Sequence, residues 1–222
     1  MEAARGGGGG LAACFYAAEH LFCFLVGDVS GKGAPAAMFM ARTRSLVRMA
    51  IELSLKASTA PLLPAQIAEA VNRELCQNND DRMFVTLFLG LLDTRTGELA
   101  CINAGHPQPH LLKASGEIAL MECKPEIPLG VRAKSGYQTV TITIGPGDGV
   151  FVVSDGVVEA MNAEGDLYTL ERLNADLSGA ASASAEELVR KVADNVNAFT
   201  GTAPKADDVT ALAMRWQPGG SC

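Results

Sequence analysis

The sequence predicts an α+β protein in which helices pack on antiparallel sheet. Two observations carry this. The helix-forming stretches are bunched, at 34–77 and 184–199, whereas the strands between 84 and 153 follow one another through tight turns. Strands joined in that way must pair antiparallel, and the strand–helix–strand alternation of a parallel sheet is absent. With 222 residues, 48% of them hydrophobic, the chain has enough apolar material for one ordinary domain with a substantial core.

Residues 6–10 are all glycine, so 1–10 reads as a flexible leader, with regular structure beginning near 11. We read 11–217 as the folded domain and 218–222 as a tail. Leu21 to Gly27 is an unbroken apolar run closed by glycine, a buried strand. Ala34 to Ala57, rich in Ala, Met, Leu and Arg, is a long helix. Pro35 lies near its start, where a missing N–H costs nothing. Met38, Met40 and Met49 read as its core side. Pro61 and Pro64 break the chain, and Pro64 opens a second helix to about Cys76.

The runs Phe84–Asp93 and Leu99–Ala104 flank Thr94-Arg95-Thr96-Gly97, and His110–Lys113 and Ile118–Met121 flank Ala114-Ser115-Gly116. Both are hairpin patterns. Tyr137 to Ile144 alternates as a strand, and Val150 to Ser154 is another. Ser184 with Glu187 three residues on is a capping box, opening a helix to about Phe199. Val209 to Trp216 closes as a strand.

The charge balance narrows the function classes. Lys plus Arg is 18 and Asp plus Glu is 25, so the net charge is 18 − 25 = −7. An acidic chain without a Lys/Arg cluster is unsuited to nucleic acid, whose phosphates need clustered cations. Six cysteines without a CxxC pair read as reduced thiols of a cytoplasmic protein. No apolar run approaches the roughly 20 residues of a membrane helix, and the N-terminus lacks the apolar stretch of a signal peptide.

Three acidic turns each adjoin an apolar run. Asp28 follows Phe22–Gly27 and leads into Val29-Ser30-Gly31-Lys32-Gly33; Asp155 stands in Ser154-Asp155-Gly156 after Gly149–Val153; Asp207-Asp208 precedes Val209-Thr210. A carboxylate at a strand end beside a small residue projects from the sheet rim with room for an ion. Three such turns suggest one divalent-metal centre assembled in space. Taken singly, each has a plainer reading: Asp28 as a helix cap, Asp155-Gly156 as a turn, Asp207-Asp208 as a solvated turn. A phosphate-binding GxxxxGK[ST] loop is refused by the spacing, with Val26 where glycine is needed and Gly33 where Ser or Thr is needed.

Six blocks in order resemble the SpoIIE/RsbU-type branch of the PPM metal-dependent protein phosphatases. They are Gly27–Met40, Met83–Phe88, Asn103-Ala104-Gly105-His106-Pro107, Pro128-Leu129-Gly130, Ser154–Ala160 and Asp207–Thr210. The resemblance spans roughly 9 to 216. It implies two stacked antiparallel sheets flanked by helices and two Mn²⁺ or Mg²⁺ ions at one sheet edge. Asp28 would bridge both ions, the Val29 carbonyl would bind the second, and Asp155 and Asp207 would complete the first, with Asp208 the secondary candidate of its pair. The implied activity is serine/threonine phosphatase chemistry by a metal-activated water. The implied substrate is a phosphoserine on a STAS-type anti-sigma factor antagonist, within partner-switching control of sigma factors in the cytoplasm. Fusion to an N-terminal sensor or receiver domain is implied as well, and homodimerisation is left open. His106 reads as part of a structural turn after a strand, with no metal or acid role.

The chain departs from the family at one place. The family carries Gly-Gly-Asp one strand before the Asp28 turn, its Asp helping to hold the second ion. Aligning Glu19–Phe22 with the family's strand start sets Gly9-Gly10 on the glycines and Leu11 on the acid, and 11–16 holds no acid at all. The family's first strand also has no counterpart upstream. Two expectations follow: an enzyme with a weakened second site that depends on high manganese, or a pseudophosphatase that binds its partner without turnover.

Overall fold

The computed structural model describes residues 2–7, 10–57, 62–178, 183–203 and 208–218. Two five-stranded antiparallel sheets face each other, as the resemblance implies. One runs in the order β2 (Leu11–Ala18), β3 (Leu21–Val29), β4 (Val85–Asp93), β5 (Glu98–Ala104), β8 (Val140–Thr143). The other runs β1 (Glu2–Gly7), β10 (Thr210–Arg215), β9 (Gly149–Val153), β6 (His110–Leu112), β7 (Ile118–Leu120).

Strand alternation decides what each sheet buries. Even-numbered residues of β3 (Phe22, Phe24, Val26) enter the gap between the sheets, with Phe88, Leu99 and Cys101 beside them and Val150, Val152, Leu212 and Met214 opposite. Phe24 is fully buried and lies over Gly90, its cross-strand partner, where a Cβ would sit 2.5 Å from the ring. Burying such a side chain is worth about 1.5–3 kcal/mol, and Gly90→Ala would lose that packing. Odd-numbered residues of β3 (Cys23, Leu25, Val29) face helices α1 (Gly33–Ala57) and α2 (Pro64–Leu75). On the far side, Phe151, Val153, Ala211 and Ala213 meet Leu173 and Leu177 of α4 (Thr169–Ser178) and Leu188, Val192 and Val196 of α5 (Ala185–Thr200). The order of layers is therefore helix, sheet, sheet, helix. The expected capping box opens α5: Ser184 Oγ accepts from Glu187 N–H at 3.2 Å, and Glu187 Oε2 accepts from Ser184 N–H at 2.8 Å.

Several expectations are corrected. Glu2–Gly7, read as a flexible leader, form β1, paired with β10 from Glu2↔Arg215 to Gly7↔Thr210. Backbone pairing at a sheet edge needs no side chains, so a glycine run hides it. β2, α4 and the short helix α3 (Asp155–Val158) were not expected. Leu173 and Leu177, the buried residues of α4, leave little periodic signal in the sequence. The core side of α1 is Phe39, Thr43, Val47 and Ile51, a four-residue repeat. Met40 packs partly against the core, whereas Met38 and Met49 are exposed. The five described cysteines are free. No helix among the described residues is long and apolar enough to cross a membrane.

Candidate metal centre

Asp28 is the penultimate residue of β3, and Asp155 opens α3 directly beyond β9. Both are half-buried. They belong to different sheets, and the residues around them join the two strand ends.

The Asp28 end is held mainly by backbone. Asp28 pairs with Thr86 and Val29 with Val85 across β4. Beyond them, Ser30 N–H donates to the Phe84 carbonyl and Phe84 N–H to Ser30 Oγ, both at 2.9 Å. This pins the turn that carries the Val29 carbonyl. Gly31 (φ +90°) and Gly33 (φ +77°) then take the chain into α1 through conformations that side-chain-bearing residues avoid. The Pro128-Leu129-Gly130 block supports the other side of β4. Val85 and Leu129 exchange N–H···O bonds of 2.9 and 3.0 Å, and Asn72 Oδ1 of α2 accepts from Gly130 N–H at 2.9 Å.

The Asp155 end is held by a side chain. Ser154 Oγ accepts from Thr210 N–H at 3.0 Å and donates to the Asp208 carbonyl at 3.1 Å, while Ser154 N–H donates to the Thr210 carbonyl at 2.9 Å. The Asp208 backbone is thereby tied to the residue that precedes Asp155. Asp155 Oδ1 accepts from Gly156 N–H at 2.9 Å.

Of the sequence-predicted site residues, Asp28, Val29, Asp155 and Asp208 take these places. Asp208 is exposed, with its carbonyl engaged by Ser154. Asp207 lies outside the described residues. Among the described residues, no three His, Cys, Asp or Glu side chains converge closely enough to hold a metal ion. The groups at both strand ends are carboxylates and backbone carbonyls. Such hard oxygen donors fit Mg²⁺ or Mn²⁺ rather than a softer metal.

The register also relocates the missing acid. Leu11 pairs with Gly27 and, as an odd-numbered residue, is buried against the helix-facing core. It does not face the rim. Continuing the register by one residue puts Gly10 across from Asp28, on the inter-sheet side, where a Cβ would collide with the Thr210 side chain. The position facing Asp28 on this strand thus has neither an acid nor space for one.

Sequence reasoning passed over two groups here, Thr86 and Ser154, and read His106 only as part of a structural turn. The first two stand inside family blocks as ordinary small polar residues, and nothing in the pattern marks them. His106 is 1% exposed, and burial pushes its pKa down to about 4, against a smaller upward pull from the Val153 backbone. At neutral pH the ring is therefore uncharged. His110 is likewise buried, with Nε2 2.8 Å from Asn174 Oδ1.

Residues 18–217 match the model of the stage II sporulation protein E (SpoIIE) family. The chain is 27% identical over 193 residues to phosphoserine phosphatase RsbU of Bacillus subtilis, covering 86% of this chain and 54% of that protein. Among solved structures, the RsbU and RsbW domains of Rv1364c from Mycobacterium tuberculosis align with a TM-score of 0.77 at 25% identity, covering 97% of this chain and 60% of that one. The SiaA PP2C domain of Pseudomonas aeruginosa aligns with a TM-score of 0.83 at 18% identity, covering 97% and 86%. The chain spans 37% and 54% of the length of the curated relatives it matches.

Proposed function

This chain belongs to the SpoIIE family, and from that premise we propose that it is a metal-dependent phosphatase acting on phosphoserine in a protein. The observation that carries the reading is that two strand-end carboxylates, Asp28 and Asp155, stand on facing sheets, with Ser154 bound to the Asp208 carbonyl next to the second. The name of RsbU and the PP2C domain of SiaA support it.

In this reading Asp28 and the Val29 carbonyl hold one side of the centre, and Asp155 with Asp207 holds the other, Asp208 standing by. These groups would hold hard divalent ions, which would supply a water of lowered pKa and neutralise phosphoryl oxygens. The chain's own task is to fix those oxygens at a rigid rim. The turn pinned at Ser30 and Phe84 fixes the Val29 carbonyl, and Ser154 fixes the Asp208 carbonyl. With no acid at Gly10 or Leu11, a second ion would be held weakly there and manganese at high concentration would be needed.

We assign the substrate to the STAS-type anti-sigma antagonist class, in cytoplasmic partner switching and under a sensor or receiver domain. Support comes from RsbU and from the joined RsbU and RsbW domains of Rv1364c. The test is phosphate release from phosphoserine and phosphothreonine peptides, and from a phosphorylated STAS domain, with Mn²⁺, Mg²⁺ or chelator. Metal-dependent release that Asp155→Asn abolishes supports the reading. Partner binding with no release at any metal concentration would replace the enzyme by a pseudophosphatase.

A further inference from the structure

His106 does more than close a turn. The turn is already fastened without the ring. His106 N–H donates to Asn103 Oδ1 at 2.7 Å, Asn103 Nδ2 donates to the Cys123 carbonyl at 3.2 Å, and Glu126 N–H donates to the Asn103 carbonyl at 2.8 Å. The imidazole is therefore free for another task, and it is buried in the gap between the two sheets.

It reaches in two directions. Nδ1 is 3.0 Å from Thr86 Oγ1. Thr86 is the cross-strand partner of Asp28, and its hydroxyl lies 3.5 Å from the Asp28 carbonyl, at the outer limit of a hydrogen bond. On the other side lies the backbone of Val153, two residues before Asp155. Nε2, the nitrogen left to face it, makes no hydrogen bond of ordinary geometry among the described residues. One ring thus spans from the Asp28 strand pair to the strand that ends at Asp155.

We propose that His106 is a positioning residue, a strut that sets the separation of the Asp28 and Asp155 strand ends and thereby the affinity of the rim for divalent cation. The inference rests on the metal-centre reading above. Ligand spacing matters because a shared site tolerates misplacement of only about 0.5 Å. A neutral imidazole suits the task. With its proton on Nε2 it can accept from the Thr86 hydroxyl through Nδ1 and offer an N–H toward the Val153 backbone, and it adds no positive charge where cations must collect.

The test compares wild type, His106→Phe, Thr86→Val, the double variant and His106→Gln. Free Mn²⁺ is followed by electron paramagnetic resonance during titration, alongside thermal unfolding of the metal-free protein. His106→Phe keeps the ring volume and removes both nitrogens. We expect each single variant to weaken Mn²⁺ binding about tenfold. The double variant should be no weaker than the worse single, because both break one chain of contacts. His106→Gln should recover part of the loss. Mn²⁺ binding within twofold of wild type in His106→Phe and Thr86→Val, whatever their unfolding temperature, overturns the strut. Should His106→Phe fail to fold, Thr86→Val decides by the same criterion. A wild type that binds no Mn²⁺ overturns the metal-centre reading and the strut with it, whereas normal wild-type binding with unaltered variants overturns the strut alone.

Discussion

The two strand ends that meet at the rim are built differently. At Asp155 a side chain ties adjacent strands together, Ser154 Oγ serving both Thr210 N–H and the Asp208 carbonyl. At Asp28 the neighbouring strand offers Gly10 and a buried Leu11, and the turn beyond is held by Ser30 and Phe84. The Asp155 side has the Asp207-Asp208 pair to draw on from a distant part of the sequence; the Asp28 side has no acid at position 10 or 11. The difference teaches that the two ends of one rim can be fastened by different means, a side chain at one and mainly backbone at the other.

The comparison breaks most sharply at Asp155. Asp155→Asn should cut turnover by about 10³-fold, the equivalent of about 4 kcal/mol of lost transition-state stabilisation, with the fold retained. Asp28→Asn should cost as much if Asp28 serves both ions. Phosphate release at saturating Mn²⁺, with circular dichroism as the fold control, checks both. Near-normal turnover in Asp28→Asn would mean that the Asp155 side suffices alone.

Acid pH probes what lies between the two ends. His106 has its pKa depressed from 6.5 to about 4 by burial, so between those values the unfolded chain binds a proton that the folded chain does not. Stability is full above pH 6.5 and falls as pH drops toward 4, by up to about 3 kcal/mol for this group. His110, depressed for the same reason, adds a loss of the same sign. Denaturant titration from pH 7 to 4 should show the fall, and His106→Phe should flatten part of it. An unchanged slope would mean that His106 is not buried neutral.

The Asp155 side is tested by Ser154→Ala. It leaves Thr210 N–H without its acceptor in a buried place, which costs about 1–3 kcal/mol. Because the same hydroxyl holds the Asp208 carbonyl, Mn²⁺ affinity should fall together with unfolding temperature. A loss of stability alone would make Ser154 a fastening of the sheet and nothing more.

Much of this was legible in the sequence, and the failures have physical causes. Asp28 and Asp155 announce themselves because a carboxylate at the end of an apolar run has no place in a core. The hairpins are legible because Thr94–Gly97 and Ala114–Gly116 are turn chemistry. β1 was hidden because its pairing is carried by backbone and its glycines give no pattern. The exposure of Met38 and Met49 was hidden because composition does not tell which face of a long helix meets the sheet; the Phe39, Thr43, Val47, Ile51 repeat does. Leu11 was placed on the acid's position by counting from the strand start. A one-residue shift of register turns a side chain to the opposite face, and only the pairing Leu11↔Gly27 shows that Gly10 faces Asp28.

That shift makes the smallest effect the most informative. Returning an acid to Leu11 should do nothing for metal binding, because position 11 points into the helix-facing core. Returning it to position 10 meets Thr210. Gly10→Asp alone should therefore destabilise by about 1–3 kcal/mol through overpacking. Thr210→Ala removes the hydroxyl and methyl in the way while keeping its backbone bonds to Ser154. In that background, Gly10→Asp should raise Mn²⁺ affinity by up to about tenfold, worth about 1.4 kcal/mol, over Thr210→Ala alone. Isothermal titration with Mn²⁺ reads the difference directly. A gain would show that the Asp28 side is weak for want of one carboxylate; no gain would mean that Asp28 and the Val29 carbonyl already give that side all the affinity its geometry allows.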